Sequence, residues 1–242
     1  MKSIFITIFF TAAAIQFCTA QEIQQLFSGN AGIYDGVHSN DLMLLSKGEE
    51  SNMDNADISG NPFWSEGWKT ALLYTDKYAI LVSKVKLNLY KNDVWYKTPD
   101  SLVMVAKRGQ VKGITFFNAD DTTSILANFV YLKNADDKKE HYFQFMNAGK
   151  AQLVKLDIVT IDKHPFDPFT GKSESNYVTE DSYYLYYNSS MTLLKGRDKE
   201  TIFSVLKPDA SLDKWLNKNN NKLKSASDII HFLDYFNTQT AR

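Results

Sequence analysis

Short runs of apolar residues, separated by turn-forming residues, fill the chain between residues 71 and 196. Residues 85–89 alternate apolar and polar side chains with a period of two, which predicts a strand with one buried face and one solvated face. Similar runs occur at residues 94–96, 102–106, 111–117, 125–132, 141–146, 153–161, 183–187 and 191–194. Most of their connections are too short for crossover helices, so we expect neighbouring strands to pair antiparallel.

The hydrophobic period changes to that of a helix after Gly196. Asp198 is expected to cap a first short helix, which Pro208 ends, and Ser227 followed by Asp228 is expected to cap a third helix. Because isolated helices of this length are marginally stable in water, we expect them to pack on the sheet or on a partner. The apolar stripes of the second and third helices are Leu212, Trp215 and Leu216, and Ile229, Phe232, Leu233 and Phe236.

The predicted fold class is therefore mainly β. It is an antiparallel β-meander, either a curved sheet or barrel-like, of about eight or nine strands with a short C-terminal helical segment. The predicted organisation is a signal peptide at residues 1–20, an N-terminal extension at 21–68, an antiparallel β domain at 69–196, and a helical segment at 197–242 packed on the β domain. Whether residues 21–68 join the main sheet is left open by their irregular pattern.

The first twenty residues have the pattern of a secretory signal peptide. Lys2 gives a basic start, residues 4–17 are mostly apolar, and small side chains precede a cleavage site after Ala20. Lipidation at Cys18 is disfavoured because the bulky Phe17 stands where the lipoprotein peptidase needs a small residue. A membrane-spanning helix needs roughly 20 apolar residues. We therefore expect an exported protein, in the periplasm or at the cell surface, that is not an integral membrane protein.

Charge and cysteine content exclude several classes of function. The 242 residues contain 27 Lys and Arg against 28 Asp and Glu, a formal net charge of -1, so nucleic acid is not an expected partner. Cleavage after Ala20 would remove the single cysteine, Cys18, and with it disulfides, thiolate catalysis and cysteine-based metal sites.

Four segments together resemble a family of uncharacterised secreted or periplasmic β-rich proteins common in Bacteroidota. The segments are residues 57–64 (DISGNPFW), 89–93 (LYKND), 183–187 (YYLYY) and 229–237 (IIHFLDYFN), and the similarity covers roughly residues 55 to 238. The resemblance implies an exported β-meander with a helical tail. It carries no known active-site residues.

One possible chemical site lies in the long connection at residues 162–181. His164 and Asp167 could ligate a metal or act as a base and its orienting carboxylate. The alternative is a rigid loop shaped by Pro165 and Pro168, in which Asp167 caps its own turn and His164 is solvated. Two ligands are too few for a metal site, and the paired-histidine and serine-elbow motifs are missing from the sequence. No catalytic residue, metal ligand or cofactor is therefore assigned.

Aromatic residues are the remaining functional signal. The four tyrosines in residues 183–187 must divide between both faces of one strand, so they are either core residues under helices or part of a surface for a protein or a sugar. The candidate contacts to a ligand or partner are Tyr184, Tyr186, His164, Asp167 and Trp64.

These observations favour an exported, non-catalytic envelope module that mediates protein–protein interaction, with an envelope protein or a glycan as the partner. A protein that binds carbohydrate or small amphiphiles in the mouth of the sheet is the alternative. A metal-dependent hydrolase that uses His164 and Asp167 is the third hypothesis.

Overall fold

The computed structural model describes residues 33–35, 44–45, 58–118, 121–163, 175–196, 199–219 and 221–240. The protein is mainly β, with 50% strand and 19% helix, as its sequence predicts. The described residues form thirteen strands and three helices. The strands are β1 (Ile33–Asp35), β2 (Leu44–Leu45), β3 (Ile58–Ser59), β4 (Lys69–Tyr74), β5 (Ala79–Asn88), β6 (Asp93–Lys97), β7 (Val103–Ala106), β8 (Gly113–Asn118), β9 (Asp121–Lys133), β10 (Glu140–Phe145), β11 (Ala151–Lys163), β12 (Ser175–Tyr187) and β13 (Ser190–Leu193); the helices are α1 (Lys199–Leu206), α2 (Ala210–Lys218) and α3 (Ala226–Thr240).

All thirteen strands belong to one open sheet, in the order β13-β12-β11-β10-β9-β8-β4-β5-β6-β7-β2, with β1 paired to β5 and β3 to β12. Strands β4 to β13, which form the predicted β domain, pair only antiparallel with one another, as the sequence predicts. They are ten strands where about eight or nine were expected. The whole sheet is mixed because β1 and β3, from the preceding region, pair parallel with β5 and β12. In addition, β4 lies between β5 and β8, so the strand order departs from the chain order there. The sheet is also not closed, so of the two predicted forms it is the curved sheet.

The region predicted as an N-terminal extension contributes three short strands to this sheet. β1 and β2 lie along β5 and β7, and β3 pairs with the start of β12. The connection predicted at residues 162–181 is shorter than expected, because β11 continues to Lys163 and β12 begins at Ser175.

Side-chain caps fix the ends of the helices. Asp209 caps α2 by accepting a hydrogen bond from the backbone N–H of Ser211 at 2.9 Å. The cap of α3 is Ser225 and not Ser227, because Ser225 Oγ accepts from the N–H of Asp228 while the Asp228 carboxylate accepts from the N–H of Ser225. This reciprocal pair is a capping box. Asp198 lies outside the described residues.

The first hydrophobic cluster fills the concave face of a curl formed by β4 to β10. Val85 and Leu87 are 0% and 1% exposed and point into this cluster, as the alternation in residues 85–89 predicts. The curl is evident at the turn between β5 and β6, where Asn92 bonds to β10 although three strands, β4, β8 and β9, separate β5 from β10 in the sheet. Strong twist and coiling of this kind is the normal behaviour of long β-sheets.

Two further clusters cover the other half of the sheet. Helices α1 to α3 pack on Leu153 of β11 and Leu185 of β12, and the buried helix residues include the predicted Leu212 and Leu216. On the opposite face of the same strands, Val154 and Leu156 pack with Phe143 of β10. Strands β11 and β12 are therefore apolar on both faces where the helices lie.

Candidate functional site

An open cleft of about 580 Å³ lies at one end of the curled sheet. Three turns meet there: residues 89–92 between β5 and β6, residues 107–112 between β7 and β8, and residues 134–139 between β9 and β10. Its volume is within the range of ordinary ligand clefts. The lining residues are Leu89, Tyr90, Lys91, Asn92, Arg108, Tyr131, Lys133, Lys138, Lys139, Glu140, His141, Ile158 and Val159, and we call this site the basic cleft.

The charges in the basic cleft are unequal. Its lining has the cations Lys91, Arg108, Lys133, Lys138 and Lys139 and the carboxylate of Glu140, and two further carboxylates, those of Asp93 and Asp137, contact Arg108 and His141. Five cations therefore lie beside three carboxylates. The whole chain has a net charge of only -1, so positive charge is concentrated here. A concave site with an excess of one sign of charge focuses the field and attracts ligands of the opposite sign.

Arg108 is held in place at the wall of the basic cleft. Its Nη2 donates to the carbonyl of Lys91 at 2.8 Å and to Oδ1 of Asp93 at 3.2 Å. The Asp93 side chain is 14% exposed and that of Arg108 is 64% exposed, so the carboxylate lies behind the guanidinium. A guanidinium fixed in this way is oriented in advance for a planar anion such as a carboxylate.

A hydrogen bond joins His141 to Asp137 of the turn between β9 and β10. His141 Nε2 is 2.7 Å from Oδ2 of Asp137. Partial burial alone would raise the pKa of Asp137, but hydrogen bonds from the Lys139 N–H and from His141 lower it below its ordinary value. The imidazole of His141 is therefore held in one orientation by a carboxylate.

Asn92 closes the side of the basic cleft next to β10. Its φ is 57°, a left-handed conformation that asparagine tolerates better than most residues. The Asn92 Nδ2 donates to the carbonyl of Glu140 at 2.7 Å, and its Oδ1 accepts from the N–H of Tyr142 at 3.3 Å. One side-chain amide thus makes the two bonds that a neighbouring strand would otherwise make to β10.

Tyrosine rings support the floor and the rim. Tyr131 and Tyr142 pack with ring centroids 4.7 Å apart, and the Tyr142 hydroxyl donates to the carbonyl of Val111 at 2.9 Å. Burial raises the pKa of Tyr142 well above its ordinary value. At the rim, Tyr90 is 42% exposed and lies against Tyr177, with ring centroids 5.5 Å apart.

The structure places the candidate tyrosines of β12 in the core. Tyr184 and Tyr186 are 5% and 3% exposed, and their rings pack edge-on against Phe143 and Phe145. On the other face, Tyr183 and Tyr187 are half-buried beneath the helices. Both faces of this strand are therefore covered, which is the core alternative of the sequence prediction.

Trp64 is also a packing residue. Its ring stacks on Phe116 at 4.8 Å and meets Phe129 edge-on at 5.2 Å inside the curl. Trp64 thus helps to fill the interior of the curl. His164 and Asp167 lie outside the described residues, so their hypothesis stays a prediction.

The basic cleft was missed in the sequence because its residues come from three separate turns. The available signal is that each turn holds Lys or Arg, at positions 91, 107–108 and 138–139. Charged turns are normally solvated, so this signal gains meaning only when the turns converge.

Among the described residues, no three His, Cys, Asp or Glu side chains are placed to hold a metal ion. None of the three described helices is both long and apolar enough to cross a membrane.

Comparisons of the chain with models of known protein families, with curated proteins and with solved structures found no match.

Proposed function

We propose that this chain is an exported, non-catalytic binding module that engages a partner protein through the basic cleft, and that the partner supplies carboxylate side chains. The observation that carries the proposal is the excess of cations, five against the carboxylates of Glu140, Asp93 and Asp137, around a cleft of about 580 Å³. Complementary charge increases association rates and favours the correct partner over others.

The arrangement of the basic cleft suits binding. Arg108 is fixed by Asp93, and His141 is paired with Asp137, so both side chains are already oriented. The remaining lining is lysine, tyrosine and aliphatic side chains together with Asn92 and Glu140, which hold a ligand by charge, hydrogen bonds and packing. Export is part of the proposal, and its support is the signal-peptide pattern of residues 1–20.

The test is binding of a fluorescently labelled acidic peptide, a short oligomer of glutamate, measured by anisotropy at several salt concentrations. We compare the wild-type protein with the double variant Lys133→Gln and Lys139→Gln. Glutamine is preferred to glutamate because Lys133 lies directly opposite Glu140 on the neighbouring strand, where a second carboxylate would be repelled. The matched control is Lys84→Gln with Lys195→Gln, two exposed lysines outside the cleft.

We expect the cleft variant to bind at least about fivefold more weakly, the control to bind like the wild type, and binding to weaken as salt rises. Equal losses of affinity in the two variants would contradict the proposal.

A sulfated oligosaccharide is the second probe, because the exposed ring of Tyr90 offers a sugar a stacking surface at the rim. If it binds through the cleft lysines while the peptide does not, the partner is a glycan. Tight binding of a single-stranded oligonucleotide at the same lysines would overturn both the protein and the glycan as partners.

A further inference from the structure

Strands β10 and β11 separate at the basic cleft. They pair at Gln144–Lys155 and Phe145–Val154. Beyond this point β11 continues for eight residues, paired only with β12 as far as Lys163–Ser175. Within the described residues, the β10 side of β11 therefore has no strand neighbour from Leu156 onward.

The register identifies which backbone groups face this gap. The N–H of Met146 donates to the carbonyl of Leu153 at 2.9 Å, so the backbone of Leu153 points toward the β10 side. Backbone groups alternate sides along a strand, so those of Asp157, Val159 and Ile161 point the same way. Val159 lies at the floor of the basic cleft and is 4% exposed, while Ile161 is half-buried nearer the open end.

The two walls of the gap differ in how their backbone groups are satisfied. On β10, the Asn92 amide bonds both the carbonyl of Glu140 and the N–H of Tyr142. On β11, no described strand makes the corresponding bonds to Val159 and Ile161. An unpaired strand edge is a template for another extended chain.

The cations lie where the side chains of such a chain would point. Lys133–Glu140 and Tyr131–Tyr142 are cross-strand pairs two residues apart, so Lys133 extends from the same face as the Tyr131 ring. Arg108 borders the cleft from the turn between β7 and β8. Every second side chain of an extended segment in the gap would face Lys133 and Arg108.

We propose that the occupant of the basic cleft is an extended acidic peptide segment, which adds as a strand to the β11 edge at Val159 and Ile161 and directs alternate carboxylates to Lys133 and Arg108. The inference rests on the proposed function and deepens it. Main-chain hydrogen bonds to the edge supply affinity, and the charged side chains supply specificity.

The test uses a capped peptide that alternates glutamate and threonine, and two backbone-methylated forms of it. One form carries N-methyl groups on all glutamates and the other on all threonines, so each loses the N–H donors of one strand edge and keeps the net charge. We expect one form, and not the other, to bind at least about tenfold more weakly than the parent, because the peptide pairs with β11 by a single edge. Hydrogen exchange at the amides of Val159 and Ile161 slows in the parent complex, while exchange at Thr179 on the far edge of β12 is unchanged.

The outcomes separate this inference from the proposed function. If both methylated forms bind like the parent, or lose affinity equally, and binding still depends on Lys133 and Lys139, strand addition is wrong and anion binding stands. If no form of the peptide binds at low salt, the proposed function itself fails.

Discussion

Asn237 on α3 hydrogen-bonds both the N–H and the carbonyl of Ala151 on β11, whose carbonyl also accepts from Asn147 Nδ2 at 3.3 Å. The Oδ1 of Asn237 accepts from the N–H of Ala151 at 2.8 Å, and its Nδ2 donates to the carbonyl of Ala151 at 2.9 Å. The same Nδ2 lies 3.0 Å from the carbonyl of Ala148. A helix side chain thus acts as the next strand of the sheet at the first residue of β11, and it fixes the helical segment to the β domain.

Replacing Asn237 with alanine should therefore loosen this junction. We expect Asn237→Ala to lower the free energy of unfolding by about 1–3 kcal/mol, because the buried N–H of Ala151 loses its partner and the Ala151 carbonyl keeps only the longer bond from Asn147. Denaturant unfolding measures the change. Gln239→Ala is the control on the exposed side of the same helix, and we expect it to change stability by less than about 0.5 kcal/mol. Equal effects of the two substitutions would contradict the structural role of Asn237.

Two buried phenols predict opposite effects of the same substitution. Tyr96 is 0% exposed and its hydroxyl has no hydrogen-bond partner among the described residues, whereas the Tyr142 hydroxyl donates to the carbonyl of Val111. We expect Tyr96→Phe to leave the free energy of unfolding unchanged or to raise it by up to about 1 kcal/mol, because it removes an unsatisfied polar group. Tyr142→Phe should lower it by about 1–2 kcal/mol. Thermal or denaturant unfolding of the two variants measures both changes. A larger loss of stability for Tyr96→Phe than for Tyr142→Phe would show that the Tyr96 hydroxyl is hydrogen-bonded in solution.

Alkaline pH should destabilise the protein through these tyrosines. Burial raises the pKa of Tyr96 to about 12 from 10.0, and burial also raises the pKa values of Tyr74, Tyr131, Tyr142 and Tyr184. Between these pH values the unfolded chain has released protons that the folded chain keeps, so the free energy of unfolding falls as pH rises from 10 to 12.

Denaturant unfolding at several pH values, together with the ultraviolet absorbance of phenolate, measures this loss. The Tyr96→Phe variant should show a shallower decline over the same range. A stability that stays constant up to pH 12 would contradict the burial of these phenols.

Asn92 can be tested without disturbing its backbone conformation. Asn92→Gly keeps access to the left-handed φ of 57° but removes the amide that bonds Glu140 and Tyr142. We expect the amide proton of Tyr142 to exchange faster with solvent and the free energy of unfolding to fall by about 1–2 kcal/mol. Asn92→Ala should cost more, since it adds strain at the same φ. Unchanged exchange at Tyr142 in the glycine variant would show that the side-chain bridge is not formed.

Patterns within one element were readable from the sequence. The alternation at residues 85–89 predicted the buried face of β5, where Val85 and Leu87 are buried. The solvated position that the same alternation predicted for Asn88 was wrong, since this side chain is 1% exposed. Its Oδ1 accepts a hydrogen bond from the N–H of Lys91 in the following turn, which satisfies the buried polar group. Helical spacing correctly predicted the buried Leu212 and Leu216 of α2. The signal peptide and the pair His164 and Asp167 stay predictions.

The sequence by itself determined which segments are extended, which are helical and which of their faces are apolar, since side-chain direction follows from the local backbone geometry. Only the tertiary structure decided that β4 lies between β5 and β8, that both faces of the tyrosine strand are covered, and that three charged turns converge on one cleft. Strand order and curl depend on hydrogen bonds and packing between residues far apart in the chain. Each charged turn, taken alone, has the composition of any solvated turn, and the cleft forms only when the sheet curls.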